Sequence, residues 1–158
     1  MTSDLKIQWE ACSVRGLDKD RLLECYNLVR KIRPLYIASG EGWVKKQKLA
    51  EMESTPGLEY IIGVNSSDKV ACFVSFVLDD TDDHDEPTTF IYELHVSPDM
   101  RGNKLGTALM TKVKALARHS ITLRVFTCNK RAIKFYRMQG FTVDSTISTP
   151  AVLFMSHV

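Results

Sequence analysis

The sequence predicts an α/β fold: a mixed, mostly antiparallel central sheet flanked by helices, in the order β-α-α-β-β-β-α-β-α-β-β. Three observations carry this. The β-rich runs "LEYIIGV", "KVACFVSFVL" and "TTFIYELHV" follow one another through polar connections, as sequential antiparallel strands do. Runs of helical spacing stand before and after that block, the pattern of helices laid over a sheet. A length of 158 residues, 44% hydrophobic, suits one domain, 1–158, with one core that buries about two-thirds of the unfolded surface.

Each element follows from its own stretch. The opening "LKIQWEAC" alternates as a strand does. In "DKDRLLECYNLVRKI", Leu22, Leu23, Tyr26, Val29, Arg30 and Ile32 stand at spacings that give a helix one apolar side, with Asp18 as its cap and Pro34 as its stop. "WVKKQKLAEM" reads as a second short helix, closed by the proline-glycine turn of "STPG". The tetrad "NSSD" closes a hairpin between the first two strands of the block, and the acidic "DDTDDHDEP" leads into the third. A helix at 104–118, the strand "ITLRVFT", a helix at 130–139 stopped by Gly140, and strands near 141–146 and 151–156 complete the order.

Composition narrows the function classes. A net charge of +2, from 21 basic and 19 acidic residues, sets up no bulk field toward nucleic acid or membrane. Cys12, Cys25, Cys72 and Cys128 lie far apart without zinc-ligand spacing, so they read as reduced core thiols and no metal is expected. The first residues, "MTSDLKIQWE", lack a signal-peptide core, and no apolar run approaches membrane-spanning length. The expectation is a soluble intracellular protein.

Two stretches point to chemistry. "SPDMRGNKLGTALM", residues 97–110, leaves a strand through Pro98 and enters a helix. A helix N-terminus offers unpaired N–H groups and a partial positive charge. Gly102 and Gly106 clear the approach, and Arg101 and Lys104 add charge, so the turn suits a pyrophosphate. Its spacing matches neither the Walker loop nor the dinucleotide fingerprint. Taken alone it also reads as an ordinary strand-to-helix turn. The second stretch, "NKRAIKFYRMQGF", residues 129–141, has the form N-x-x-A-x-x-F-Y-x-x-x-G-F.

Together these stretches resemble the GNAT superfamily of acetyl-CoA-dependent N-acetyltransferases, and the element order agrees over nearly the whole chain. Lys104 stands where that family most often has its middle glycine. The resemblance implies the GNAT fold and acetyl-CoA as cosubstrate, with the backbone of Arg101, Gly102, Asn103, Lys104, Leu105, Gly106 and Thr107 cradling the pyrophosphate. It further implies that Leu94, His95 and Val96 pair with the pantetheine arm as an added strand, that Asn129 touches the cofactor near its thiol end, and that Tyr136 protonates the departing thiolate. A core-packing role for Tyr136 is the other reading.

Within the superfamily, "LYIASGEGWVKKQKLAEM", "GLEYIIGV" and "IYELHV" look like the NatD branch, which acetylates the α-amino group of histone tails beginning Ser-Gly-Arg-Gly. That resemblance implies a monomer in nucleus and cytoplasm, with a protein N-terminus as partner and no direct contact with nucleic acid or membrane. It assigns the acceptor to Tyr36, Trp43, Asp79 and Tyr92. Tyr36 and Trp43 line the entry of a small first residue or are core aromatics, and Asp79 binds the peptide's early backbone or its arginine. Carboxylates of the loop, Asp80, Asp82, Asp83, Asp85 and Glu86, read as a field for a basic tail or as a solvated loop. On the strand before Asn129 the branch usually has a small polar residue where this chain has Arg124.

Glu93 stands mid-strand in an otherwise apolar run. A carboxylate there is costly unless used or paired, so it is either the proton acceptor for an α-amine of pKa near 8 or half of a buried ion pair. His95 shares its face at period two. Two alternatives stand beside N-terminal acetylation: an enzyme acting on internal lysines or a polyamine, and a CoA-binding module without turnover.

Overall fold

The computed structural model describes residues 6–80 and 86–158; Asp82, Asp83 and Asp85 lie outside that set. The sheet has seven strands: β1 (Gln8–Ser13), β2 (Leu58–Val64), β3 (Val70–Asp80), β4 (Thr88–Val96), β5 (Ile121–Phe126), β6 (Thr142–Val143) and β7 (Val152–His157). Their spatial order is β1-β2-β3-β4-β5-β7-β6. Every pairing is antiparallel except β4 with β5. The helices are α1 (Lys19–Arg30), α2 (Arg33–Ala38), α3 (Lys45–Ser54), α4 (Leu105–Leu116) and α5 (Lys130–Met138).

The expected order is present with one addition, α2. Pro34 lies in the first turn of α2, where its missing N–H leaves no helical bond unmade. The proline that reads as a stop for α1 thus also starts the next helix.

Side-chain alternation on β2 and β3 builds two layers. Val74 and Phe76 join Leu109, Met110 and Val113 of α4 on one face. Leu58, Tyr60, Ile62 and Phe73 join Leu22, Cys25 and Val29 of α1 and Met52 of α3 on the other. The Tyr60 hydroxyl, buried in this second layer, donates to the Met52 carbonyl at 2.6 Å.

Two irregularities on β3 and β4 position the site. Ser75 pairs with Glu93, but Phe76 pairs with Ile91, leaving Tyr92 as an extra residue. A bulge of this kind re-aims the side chains beyond it. Tyr92 therefore packs with the α1 and α3 layer, and the next residue, Glu93, reaches the same side to meet Lys48 of α3. The second irregularity falls between Val77 and Asp80, where Asp79 takes a left-handed backbone with φ 53°. On the other edge of β4, pairing with β5 covers only Thr89 to Ile91. Past Ile91 the two parallel strands part.

Candidate active site

The gap between β4 and β5 opens a cleft of about 770 Å³ that runs from the turn before α4 to α2 and α3. One end is built for an anion. The α4 hydrogen-bond ladder begins with Ala108 N–H to the Lys104 carbonyl at 3.0 Å, and Lys104 caps the helix without a side-chain bond. The amides of residues 105–107 therefore precede the ladder. Gly102, with φ 84°, and Lys104, with φ 58°, turn the backbone into the helix. Arg101 and Arg131 line this end, and burial together with the Arg131 charge lowers the pKa of the Arg101 guanidinium. Two cations that repel each other here favour a bound anion.

The middle of the cleft is the freed edge of β4. From Glu93 onward no described strand pairs with β4 on the β5 side, so an extended arm can pair with Leu94 and Val96 as an added strand. These features fit CoA: free amides and cations for phosphates, then an open strand edge for pantetheine.

The far end holds a buried carboxylate. Glu93 is 6% exposed. Its Oε1 lies 2.8 Å from His95 Nε2 and its Oε2 accepts from Lys48 Nζ at 3.1 Å. Lys48 Nζ also donates to Glu51 Oε1 at 3.0 Å and sits 5.1 Å from the Tyr36 ring centroid. Burial alone would raise the Glu93 pKa. The hydrogen bond from His95 and the charge of Lys48 outweigh it and hold the carboxyl below its ordinary range. Above this network stand aromatic walls, with Tyr36 edge-on to Trp43 at 5.0 Å and to Phe126 at 4.8 Å. Tyr136 is buried on α5 and also lines the cleft. Burial and the Glu93 charge raise the pKa of its phenol, which stays protonated at neutral pH.

The cleft gathers most of the residues singled out in the sequence. Glu93, Tyr136, Leu94, His95, Val96, Arg101, Gly102, Lys104, Leu105, Gly106, Thr107, Asn129, Tyr36, Trp43 and Tyr92 all line it. Asn103 does not line it; its side chain donates to the Met100 carbonyl at 2.9 Å and braces the turn. Asp79 is exposed at the end of β3, outside the lining. The Asn129 side chain caps α5, accepting from Ala132 N–H at 3.2 Å. Gly106 serves packing: a Cβ there would lie 3.1 and 3.2 Å from Phe135 ring carbons. His95 is more engaged than a strand-edge histidine, since its ring bonds Glu93 and stacks on Phe73 at 5.6 Å. Cys128 is exposed rather than a core thiol.

Sequence reading missed Lys48, Arg131, Phe126 and Glu41, all of which line the cleft. Of the three lysines in the first turns of α3, Lys48 alone stands four residues before the core residue Met52. Helical spacing puts those two on one face, and that was the available signal. Glu41 accepts from Arg124 at 3.0 Å, a pairing across 83 positions of chain that no local pattern announces.

A freed strand edge leading from a cationic helix N-terminus to a buried carboxylate is an arrangement that can seat an acyl-CoA. Residues 22–141 match the model of the acetyltransferase (GNAT) family, and the chain belongs to that family. An uncharacterized N-acetyltransferase of Methanocaldococcus jannaschii is 44% identical over 55 residues, 32% of this chain. The matched segment spans about a quarter, 24%, of that curated relative's length. Among solved structures, NAA60 of Arabidopsis thaliana in complex with a bisubstrate analogue superposes with a TM-score of 0.67 at 13% identity, covering 95% of this chain and 97% of that one. Nourseothricin acetyltransferase superposes at 0.52 with 24% identity, over 64% of this chain and 65% of that one. These two likenesses are of fold.

Proposed function

We propose that this chain moves the acetyl group of acetyl-CoA to the α-amino group of a protein N-terminus, with a basic tail beginning Ser-Gly-Arg-Gly as the acceptor, in nucleus and cytoplasm. The observation that carries the reading is the Glu93 carboxylate, buried beneath the Tyr36, Trp43 and Phe126 walls and beside the free edge of β4. Such a pocket suits a small first side chain and a primary amine. In this reading Tyr92, which lines the cleft, contacts the acceptor, and Asp79, exposed at the end of β3 outside the lining, meets the tail's arginine.

When bound, acetyl-CoA supplies a thioester whose acyl carbon the amine attacks, with direct transfer in a ternary complex. An α-amine has a pKa of about 8, so about a tenth is neutral at pH 7. Glu93, held below its ordinary range by His95 and Lys48 against the effect of burial, is too weak a base to take the proton of the resting ammonium. The acceptor therefore enters neutral. As the C–N bond forms, the nitrogen becomes acidic and its proton passes to Glu93, directly or through water. The Tyr136 phenol, kept protonated by burial, donates to the departing thiolate.

The test is a panel: a Ser-Gly-Arg-Gly peptide, the same peptide with a blocked N-terminus, a Met-initiated peptide and spermidine, each with acetyl-CoA and read by mass. Acetylation of the first peptide alone supports the reading. Equal modification of the blocked peptide moves the acceptor to lysine, and turnover of spermidine alone moves it to a small amine. One observation favours that last outcome: the Arg124–Glu41 ion pair ties the α2–α3 loop to β5 in the cleft wall, which suits a smaller acceptor.

A further inference from the structure

We propose that Lys48 is a positioning residue for the transfer reaction: its ammonium, held between Glu51 and Glu93, aims the Glu93 carboxylate and keeps it ready to take the acceptor's proton. The inference rests on the reading of Glu93 as that acceptor.

The geometry is specific to this lysine. Lys45 and Lys46 of α3 are exposed, whereas the Lys48 side chain is 11% exposed and points to the sheet. An ammonium has three donors. Here one goes to Glu93 Oε2 at 3.1 Å, one to Glu51 Oε1 at 3.0 Å, and the third side faces the Tyr36 ring at 5.1 Å. With its surroundings filled in this way, Nζ has one position. Glu93 is correspondingly gripped at both oxygens, Oε1 by His95 and Oε2 by Lys48. A glutamate side chain has several rotatable bonds, and the two grips set the plane of its carboxylate.

The charge matters as much as the aim. The groups facing Glu93 are Lys48 and Glu51 from α3, His95 from β4, Tyr36 from α2, Tyr60 from β2 and Tyr136 from α5. Among them Lys48 is the permanent cation. Burial opposes the charge on Lys48, but Glu93, Tyr36 and Glu51 outweigh it and hold its pKa above the ordinary value. The ammonium therefore keeps its proton and does not compete with the acceptor as a nucleophile. Without it, burial favours the neutral carboxylic acid at Glu93, which accepts no proton.

The experiment compares parent, Lys48→Met, Lys48→Arg and Glu93→Gln in the full chain. Glutamate side-chain carboxyls are labelled with ¹³C, and Glu93 is assigned by its missing signal in Glu93→Gln. Its titration is followed by NMR, and kcat and KM are measured from pH 5 to 9 per folded molecule. We expect Lys48→Met to raise the Glu93 midpoint by about one to three pH units, move the acid limb of kcat upward with it, and lower kcat at least about tenfold. The KM for acetyl-CoA should change less than about twofold, and Lys48→Arg should restore the midpoint and most of kcat. An unmoved midpoint in a folded Lys48→Met overturns the inference, as does parental kcat. Should Lys48→Met not fold, Lys48→Gln replaces it with the same expectations. A folded Glu93→Gln with parental kcat overturns the reading of Glu93 instead, a result separate from either outcome at Lys48.

Discussion

Lys104→Gly tests whether backbone or side chain makes the anion end of the cleft. Lys104 holds φ 58° and ψ 27° at the start of α4 without a side-chain capping bond. A left-handed backbone costs an L-residue about 1–2 kcal/mol, and glycine does not carry that cost. Glycine in turn loses about 0.4–1 kcal/mol through the extra freedom of the unfolded chain. The difference leaves the variant more stable by about 0.5–1 kcal/mol, which for a domain of this size is a rise in Tm of about 1–4 °C. Lys104 is exposed, so its charge adds about 1 kcal/mol or less to phosphate binding. The Kd for CoA should accordingly weaken by less than about fivefold, and by less still at high salt. Calorimetry gives Tm and Kd on one preparation. A fall in Tm would refute the strain argument. An affinity loss beyond about 30-fold would show that the Lys104 ammonium, not the amides of residues 105–107, is the principal anchor.

Gly106→Ala should destabilise the fold by about 1–2 kcal/mol, because its Cβ must push the Phe135 ring from 3.1 Å; Phe135→Leu should recover about half, and additive urea midpoints would show that the two do not interact. Acid unfolding should be sharpened by Glu93. Its folded pKa lies below the ordinary 4.5, so its contribution is complete above the unfolded value and is lost as pH falls through the folded one. Glu93→Gln should therefore flatten the stability curve below about pH 4.5, and an unchanged curve would place the acid-sensitive groups elsewhere. Arg124→Thr should leave Tm within about 1 °C, since the pair with Glu41 is about 40% exposed at both ends. It should also raise kcat/KM for a basic peptide several-fold at low salt, and a lower value would show that Arg124 assists the acceptor.

The fold was legible because its signals are local. Alternation on β2 and β3 and the spacing of Leu22, Tyr26 and Val29 on α1 each report a face directly, and the two layers confirm them, whereas Leu23, read onto the same side, is about half exposed and Cys25, not read there, is buried. The turn into α4 was legible for the same reason, since Arg101 to Lys104 immediately precede the helix in sequence. What stayed hidden depends on register between distant strands. Nothing in "FIYELHV" announces that Tyr92 is an extra residue, and strict alternation would send Tyr92 and Glu93 to opposite faces. Lys48 was hidden because a lysine among lysines reads as a solvated helix face until its partner across the layer is known. The exposed position of Asp79 likewise follows from the second irregularity on β3.

The bulge at Tyr92 joins the two halves of the site. Pairing between β4 and β5 ends at Ile91, immediately before the extra residue. From Glu93 onward no described strand covers β4 on that side, while Leu94 and Val96 pack toward α4 and His95 stacks on Phe73 in the other layer. The same extra residue turns Glu93 to the layer of α3, where Lys48 waits. The place where an extended arm can begin to pair is thus fixed, within a residue or two, to the place where the carboxylate stands. On the proposed function, the distance between the thioester and Glu93 is set by one strand's register and does not depend on a loop. Removing Tyr92 would restore regular pairing with Ile91 still opposite Phe76 and Glu93 still opposite Ser75 on the α3 side, while bringing Glu93 one residue closer to the last β4–β5 pair. That single deletion should lower turnover by shifting the carboxylate relative to the open edge of β4 while leaving the amides of residues 105–107 able to bind CoA, and parental turnover would mean that the spacing made by the bulge does not set the site.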